Sequence, residues 1–432
     1  MKKIQYFIVT SLFLLWIEYN DAMSLKSSLK EKALEYVQHI IDKELDNLKH
    51  MPLDLKEALV ERYSWRFPLQ IRTFRGCSFK NIQALNFCPS TYKLAIISRA
   101  GVNILDIMHE TTPTFVPLVG TVKQAVFSSG GAYIAIATYL NTSVWDVKNA
   151  LLKVFERPLE SSTIAWLTNS HLALCLGDKV HIWDIQMDKR LYSISHQLKA
   201  APFYMSVSQK GDYFALSSGI DHTDLYKFDR ERKLWTFDKK LVPHEVTVFI
   251  GAWGANTTAF SSDGKFIACG CVNEGQCACV YLFDIEKGLC VHRLKHEIAS
   301  DNIQNMNAIC YSSEGSYLVT ACTQNVCLWD IAKKDSIIIF KRCYYGTFSS
   351  DGKYLALAHE DGRVSIWANG SFDQMICHFA LIKVEHDKSL ESFEKVVRST
   401  VWQSLDSKDL VTQALSKKAE NIRTMLISES SL

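Results

Sequence analysis

Over most of this 432-residue chain the apolar positions come in short runs broken by polar turns, and long amphipathic stretches are confined to the two ends. The clearest unit is 307–331. A short apolar run, Ala308-Ile309-Cys310-Tyr311, meets the turn Ser312-Ser313-Glu314-Gly315. A second run, Tyr317 to Ala321, leads through Thr323-Gln324-Asn325 into a third that ends in Val326-Cys327-Leu328-Trp329-Asp330-Ile331. Runs of this length, rich in β-branched, aromatic and small residues and bracketed by turn formers, predict strands. The same turn recurs as Ser128-Ser129-Gly130-Gly131, Ser261-Ser262-Asp263-Gly264 and Ser349-Ser350-Asp351-Gly352, where glycine supplies the positive φ such turns need.

A Trp-Asp pair, or a degraded form of it, closes an apolar stretch seven times: Leu105-Asp106, Trp145-Asp146, Trp183-Asp184, Phe228-Asp229, Phe283-Asp284, Trp329-Asp330 and Trp367-Ala368. Successive second positions are 40, 38, 45, 55, 46 and 38 residues apart, a period at which small antiparallel sheets repeat around a ring. On these residues the stretch from Leu69 to Val384 resembles the WD-repeat propeller family. The resemblance implies a mainly β fold, a seven-bladed β-propeller with four strands per blade, serving as a scaffold for protein–protein interaction. No Gly-His dipeptide occurs, so the family's other fingerprint is missing. Several repeats keep the Trp and repeat seven has Asp361 in its tight turn, but most blades are expected to lack the buried Asp-His-Ser/Thr-Trp network and to rest on apolar packing. Two segments compete to complete the last blade: Leu69 to Phe74, and Gln374 to Leu381.

The flanks read as helices. Leu29, Ala33, Val37 and Ile40 or Ile41 recur at the spacing of one buried stripe, with Lys30, Glu31 and Lys32 opposite. A second helix starts near Pro52, with Leu55, Leu59 and Val60 as its stripe. This segment resembles the elongin-binding and cullin boxes of von Hippel-Lindau-type ubiquitin ligase receptors. Ser28-Leu29, Ala33 and Val37 fill the first box, with Ala33 where Cys is preferred, and Met51-Pro52, Leu55 and Leu59 fill the second. The resemblance implies elongin BC and a cullin as partners: Leu29, Ala33 and Val37 would face elongin C, and Met51, Pro52, Leu55 and Leu59 the cullin. The other reading makes both helices structural caps. In the tail, Leu390, Phe393, Val397 and Val401 form one helical stripe, and Leu410, Val411, Leu415 and Ile422 a second, with Lys417 and Lys418 as a solvated face. The chain thus divides into 1–22, a hydrophobic leader or a start codon read too early; 23–66, an adaptor-like helical pair; 67–384, the propeller; and 385–432, a helical tail.

Composition alters this picture little. Forty-eight basic and 46 acidic residues give a net charge of +2, which draws neither nucleic acid nor an anionic membrane. Lys2-Lys3 and the apolar stretch from Ile4 to Ile17 have the form of a signal peptide, whereas Met23-Ser24-Leu25-Lys26 opens like a cytosolic chain. A cytoplasmic or nuclear setting is expected, and a secreted one only if the leader is genuine. Thirteen cysteines, odd in number and mostly at small buried positions, fit free thiols. Cys269-x-Cys271 and Cys277-x-Cys279 form a possible four-thiolate cluster, but residues two apart on a strand are set too widely for tetrahedral zinc, so no metal is assigned. No catalytic motif is present, and no catalytic residue or cofactor is assigned. His292 and His296, four apart, are weak ligand candidates. Insertions near Ser193 to Pro202, Leu241 to Ala255 and His292 to Asn305 fall between repeats, on one rim. The middle one carries Phe249 and Trp253 among glycines, either anchors for a peptide or partner protein or side chains tucked into the propeller mouth.

Overall fold

In the computed structural model the described residues run from 68 to 430. The stretches 76–81, 100, 110–111, 119–120, 148–150, 157–162, 199–201, 203, 219–221, 243–256, 273–277, 297–305 and 324 are excepted, and within 371–389 only 374, 377, 380, 381, 384, 385 and 388 are described. The leader and the expected N-terminal helical pair, 1–66, lie outside them. The chain separates into two units, one of Arg72–Trp367 and one of Met1–Ile71 with Ala368–Leu432.

Seven four-stranded antiparallel sheets follow one another along the chain, one per repeat, and each Trp-Asp pair or its substitute ends the third strand of its sheet. The first strands, Ile82–Phe87, Val122–Phe127, Ile164–Trp166, Tyr204–Val207, Thr258–Phe260, Met306–Tyr311 and Cys343–Phe348, neighbour one another in that order, and the last neighbours the first. This is a closed seven-bladed propeller, and blades 1 to 7 are numbered from Ile82. Leu69–Phe74 forms the fourth strand of blade 7, beside Val364–Ala368. The competing segment is helical at each described position from 374 to 381. Closure by an N-terminal strand places a sheet neighbour on an edge that would otherwise stay open.

The repeat signature has a hydrogen-bonding cause. In the first turn of blades 2, 4, 5, 6 and 7 a serine hydroxyl accepts the backbone N–H five residues on: Ser128 from Tyr133 at 3.1 Å, Ser208 from Tyr213 at 3.0 Å, Ser261 from Phe266 at 2.9 Å, Ser312 from Tyr317 at 3.0 Å and Ser349 from Tyr354 at 3.0 Å. The glycine of that turn has φ between 68° and 78° in each case (Gly131, Gly211, Gly264, Gly315, Gly352), a region glycine enters without strain. At the end of the third strand the repeat's aspartate accepts the N–H groups two and three residues ahead. Asp184 Oδ1 takes Gln186 and Met187 at 2.9 Å, Asp229 Oδ1 takes Glu231 and Arg232, and Asp330 Oδ1 takes Lys333 at 3.0 Å. The carboxylate thereby fixes the tight turn into the fourth strand.

Between blades the sheets bury apolar faces. Within blade 4 Phe214 stacks on Tyr226 with centroids 4.5 Å apart and Trp235 meets Phe214 edge-on at 5.0 Å, and this cluster shares one core with Ala173, Val180 and Ile182 of blade 3. Fully burying side chains of this size is worth about 2–3 kcal/mol each before ordering costs. Polar links run beside this packing. Asn86 Nδ2 donates to Ala125 O at 3.2 Å, Trp166 Nε1 to Val126 O at 3.1 Å and Asn307 Nδ2 to Tyr344 O at 3.1 Å, each bridging neighbouring blades. Where the ends of the ring meet, Tyr92 OH donates to Asp351 Oδ2 at 2.8 Å and Arg72 Nη1 to Ile107 O at 2.9 Å.

The C-terminal unit contains α1 (Leu390–Arg398), α2 (Thr400–Gln403) and α3 (Leu410–Ser430). Asp409 caps α3, its Oδ2 accepting Val411 N at 2.9 Å and Thr412 N at 3.1 Å. The stripe of α3 is buried as the spacing predicts, at Leu410, Val411, Leu415 and Ile422, and extends to Ala419 and Leu426. In α1 the buried partner of Phe393 is Val396, and Val397 is only half-buried, because three-residue spacing fits this short helix better than four. Lys417 is exposed, whereas Lys418 is half-buried and lies 3.5 Å from Glu385. No helix among the described residues is long and apolar enough to cross a membrane.

Two glycines at the same turn position separate backbone strain from crowding. A Cβ on Gly131 would collide with Ser90 Oγ and Cys88 Sγ, whereas one on Gly264 meets nothing within 4 Å. Gly264→Ala should therefore cost only about 1–2 kcal/mol of left-handed strain, and Gly131→Ala distinctly more, as chemical denaturation of the two variants will measure.

Candidate interaction face

Antiparallel order gives the propeller two unlike ends. One carries the turns joining first to second and third to fourth strands. The other carries the hairpins joining second to third strands together with every connection between blades. The former is here the turn end, the latter the connection end. Of the expected insertions, the first and third are shorter than the sequence suggested, because fourth strands run to Ser195 and Lys295 and absorb Ser193 to Ser195 and His292 to Lys295. Phe249 and Trp253 lie outside the described residues, as do Leu29, Ala33, Val37, Met51, Pro52, Leu55 and Leu59.

What the structure does place at the connection end is an exposed apolar pair that the sequence reading passed over. Tyr139 and Leu140 form the hairpin of blade 2 and are 64% and 50% exposed. The hairpin is pinned from inside: Thr138 Oγ1 accepts Leu140 N at 3.1 Å and Asn141 N at 3.0 Å, and Thr138 is itself buried. Lys123, on the first strand of the same blade, sets Nζ 4.2 Å from the Tyr139 ring centroid. Partial burial lowers Lys123 below the ordinary lysine range, and the ring face returns part of the lost solvation as a cation–π contact. A rigid tyrosine beside a leucine, both offered to solvent, is the composition of a binding anchor. The available signal was the sequence Thr-Tyr-Leu-Asn in a two-residue hairpin, where small polar turn formers are the rule.

Beneath this end lie buried polar groups. In blade 6, Trp329 Nε1 donates to Thr320 Oγ1 at 2.7 Å, and the same hydroxyl meets His296 Nε2 at 2.7 Å. His296 Nδ1 lies 3.3 Å from Cys327 Sγ. A neutral imidazole completes the chain, with the Thr320 hydroxyl donating to Nε2 and Nδ1–H to the sulfur. The His-Thr-Trp part of the network therefore forms in one blade despite the missing Gly-His dipeptide, since Lys295-His296 delivers the imidazole. Blade 7 has a variant: His359 Nε2 sits 2.6 Å from Ser365 Oγ, which also accepts Trp367 Nε1 at 2.9 Å. Its Asp361 turns instead to Arg363, Oδ2 to Nε at 2.5 Å. In blade 2 only Trp145 Nε1 to Ser143 Oγ, 2.9 Å, remains. Blade 4 differs, with a buried carboxylate: Asp224 Oδ1 lies 2.9 Å from His222 Nε2 and Oδ2 accepts Gln197 N at 2.8 Å.

The cysteines of blade 5 occupy strand positions. Cys269 and Cys279 are buried, Cys271 pairs in register with Cys279, and Arg293 Nη2 donates to Cys279 Sγ at 3.4 Å; Cys277 lies outside the described residues. Burial pushes the Cys269 thiol up to about 12. Among the described residues no three His, Cys, Asp or Glu side chains converge as a metal site would need.

Residues 288–330, the fourth strand of blade 5 through the third of blade 6, match the family model described as WD domain, G-beta repeat. That span contains His296, Thr320 and Trp329, so the best-preserved network and the recognisable repeat coincide. A search of curated proteins gives no match.

His296 makes this network pH-dependent. Burial holds its pKa at about 4, against 6.5 for a free histidine. The unfolded chain therefore takes up the proton first, and stability present above pH 6.5 falls as the pH drops towards 4, by on the order of 3 kcal/mol in full. His296→Gln should be less stable than the parent near neutrality, with the gap closing between pH 6.5 and 4.5 in thermal melts; a gap constant with pH would contradict the assignment.

Proposed function

We propose that this protein is a non-catalytic platform that binds other proteins at the connection end of its propeller. The observation that carries this reading is the exposed Tyr139–Leu140 pair on a pinned hairpin, supported by the closed ring and by the WD repeat at 288–330. Such a ring has little freedom to lose on binding, so the ordering cost falls mainly on the partner.

In its sharper form, the protein is the substrate-recognition subunit of an elongin-cullin ubiquitin ligase in the cytoplasm or nucleus. Leu29, Ala33 and Val37 would hold elongin BC, Met51, Pro52, Leu55 and Leu59 would hold the cullin, and Phe249 and Trp253 would join Tyr139 and Leu140 in holding the substrate. What supports this is the sequence of the two boxes and their placement just before the propeller. The alternative, a scaffold of another assembly with its helices as caps, keeps the same binding end and drops the ligase.

Two variants separate these readings. Tyr139→Ala with Leu140→Ala should leave the melting temperature nearly unchanged, both side chains being exposed, and weaken partner capture roughly tenfold or more. Leu29→Asp should abolish co-purification of elongin BC while leaving propeller-bound partners in place. If Leu29→Asp changes nothing, the ligase assignment is lost; if the double variant retains every partner, so is the platform.

A further inference from the structure

The fourth strand of each blade forms an edge on the outer rim of the ring, and most of these edges carry charge or proline. Thr114–Pro117 ends in proline, Lys189–Ser195 exposes Lys189 and Arg190, and Leu234–Leu241 exposes Asp238 and Lys240. Leu289–Lys295 and Asp335–Lys341 each end in an exposed lysine. Charges and prolines placed in this way oppose the addition of a further strand.

The outer strand of blade 2, Leu151–Glu156, is different. One edge pairs with Asn141–Asp146, and the other has no strand partner among the described residues. Leu151, Leu152 and Val154 are exposed, at 49%, 48% and 37%. The strand's one lysine turns away from this apolar surface. The Lys153 side chain is only 20% exposed, and its ammonium pairs with Asp188 of blade 3. The same ammonium lies 4.7 Å from the Trp183 ring centroid and 5.0 Å from that of Phe155, two rings that meet edge-on at 5.0 Å. Two aromatic faces and a carboxylate thus hold the cation against blade 3.

The edge is complementary to itself except at that cation. Laid antiparallel on a copy of itself about Lys153, it sets Leu151 opposite Phe155, Leu152 opposite Val154, and Lys153 opposite Lys153. Apolar cross-strand pairs stabilise such a contact, whereas like charges directly opposite destabilise it. An added strand would also cover the part of the Lys153–Asp188 pair that still meets water. Removing an ion pair from water costs more than the pair returns unless new polar partners replace the solvent. A bulge at Leu152, which has no opposite residue in Asn141–Asp146, twists the strand and opposes addition further.

We propose that the outer edge of blade 2 is a self-association surface for a second copy of this chain, and that Lys153 holds it closed. Without the lysine the two copies would join isologously, their four-stranded sheets continuing as one of eight. A strand is the fitting occupant because it alone can take up the free backbone N–H and C=O groups of the edge. The surface lies on the outer rim, apart from the connection end that the platform would use.

Sedimentation velocity of the full chain tests this over about 1 to 100 μM protein. Leu152→Lys should leave the parent's mass unchanged. Lys153→Leu should move towards twice the chain mass as concentration rises, and adding Leu152→Lys to it should restore the parent's behaviour. Lys153→Gln serves where leucine impairs folding, and should associate more than the parent and less than Lys153→Leu. Lys265→Leu removes the same charge from an exposed turn of blade 5 and should change nothing. Folded Lys153→Leu and Lys153→Gln that both sediment like the parent would overturn the proposal. So would association that Leu152→Lys fails to reverse, or equal association of Lys265→Leu. A parent that already pairs and is separated by Leu152→Lys would refute the role given to Lys153.

Discussion

Everything in the propeller depends on ring closure. Each sheet buries one face on the blade before it and the other on the blade after it, so an open arrangement would leave two apolar faces and an unpaired strand edge in water. Here the join is made in three ways at once: a fourth strand supplied by Leu69–Phe74, the first-strand neighbours Cys343–Phe348 and Ile82–Phe87, and the polar contacts of Tyr92 with Asp351 and Arg72 with Ile107. The hydrogen bonds are individually modest. Their value lies in setting how the two sectors meet, while apolar burial supplies the free energy.

Closure also explains how so degraded a repeat persists. The hydrogen bonds that define each unit are local ones, serine to a backbone N–H in the first turn and aspartate to backbone N–H groups in the last. They survive where the tryptophan has become leucine or phenylalanine, since they need neither the indole nor the histidine. The buried imidazole networks are extra, present in blade 6 and altered in blade 7. Blade 4 uses interlocked aromatics instead, with Phe214, Tyr226 and Trp235 packed in one core with the apolar face of blade 3.

The turn motif that builds the blades also makes the two ends of the propeller unlike. Because the recurrent aspartate sits at the turn end, cations there are neutralised as a by-product of folding. The connection end is free of that constraint, and it is there that the bulky side chains of Tyr139 and Leu140 meet solvent on a pinned hairpin. One end is built from the turns that define the repeat, and the other is the end the proposed platform would use.

The spacing of the Trp-Asp pairs, the serine and glycine turns and the strand-length apolar runs determined the number of blades, their order and most of their core, because each blade's pattern is written in about forty contiguous residues. The stripe of α3 was legible for the same reason, since helical spacing is local. Which strand closed the last blade was not, for Leu69–Phe74 and 374–381 are both apolar enough, and the choice depends on a neighbour some three hundred residues away in the chain. The role of His296 was likewise hidden. A histidine after Lys295 becomes part of a network only when packing of blade 6 brings Thr320 and Trp329 to it. Tyr139 and Leu140 were visible as residues, but not as an exposed pair, since exposure depends on how the hairpin of blade 2 stands clear of its neighbours. Local patterning fixes what a short segment becomes, whereas side chains that must meet or avoid one another across the ring are placed only once the ring has closed.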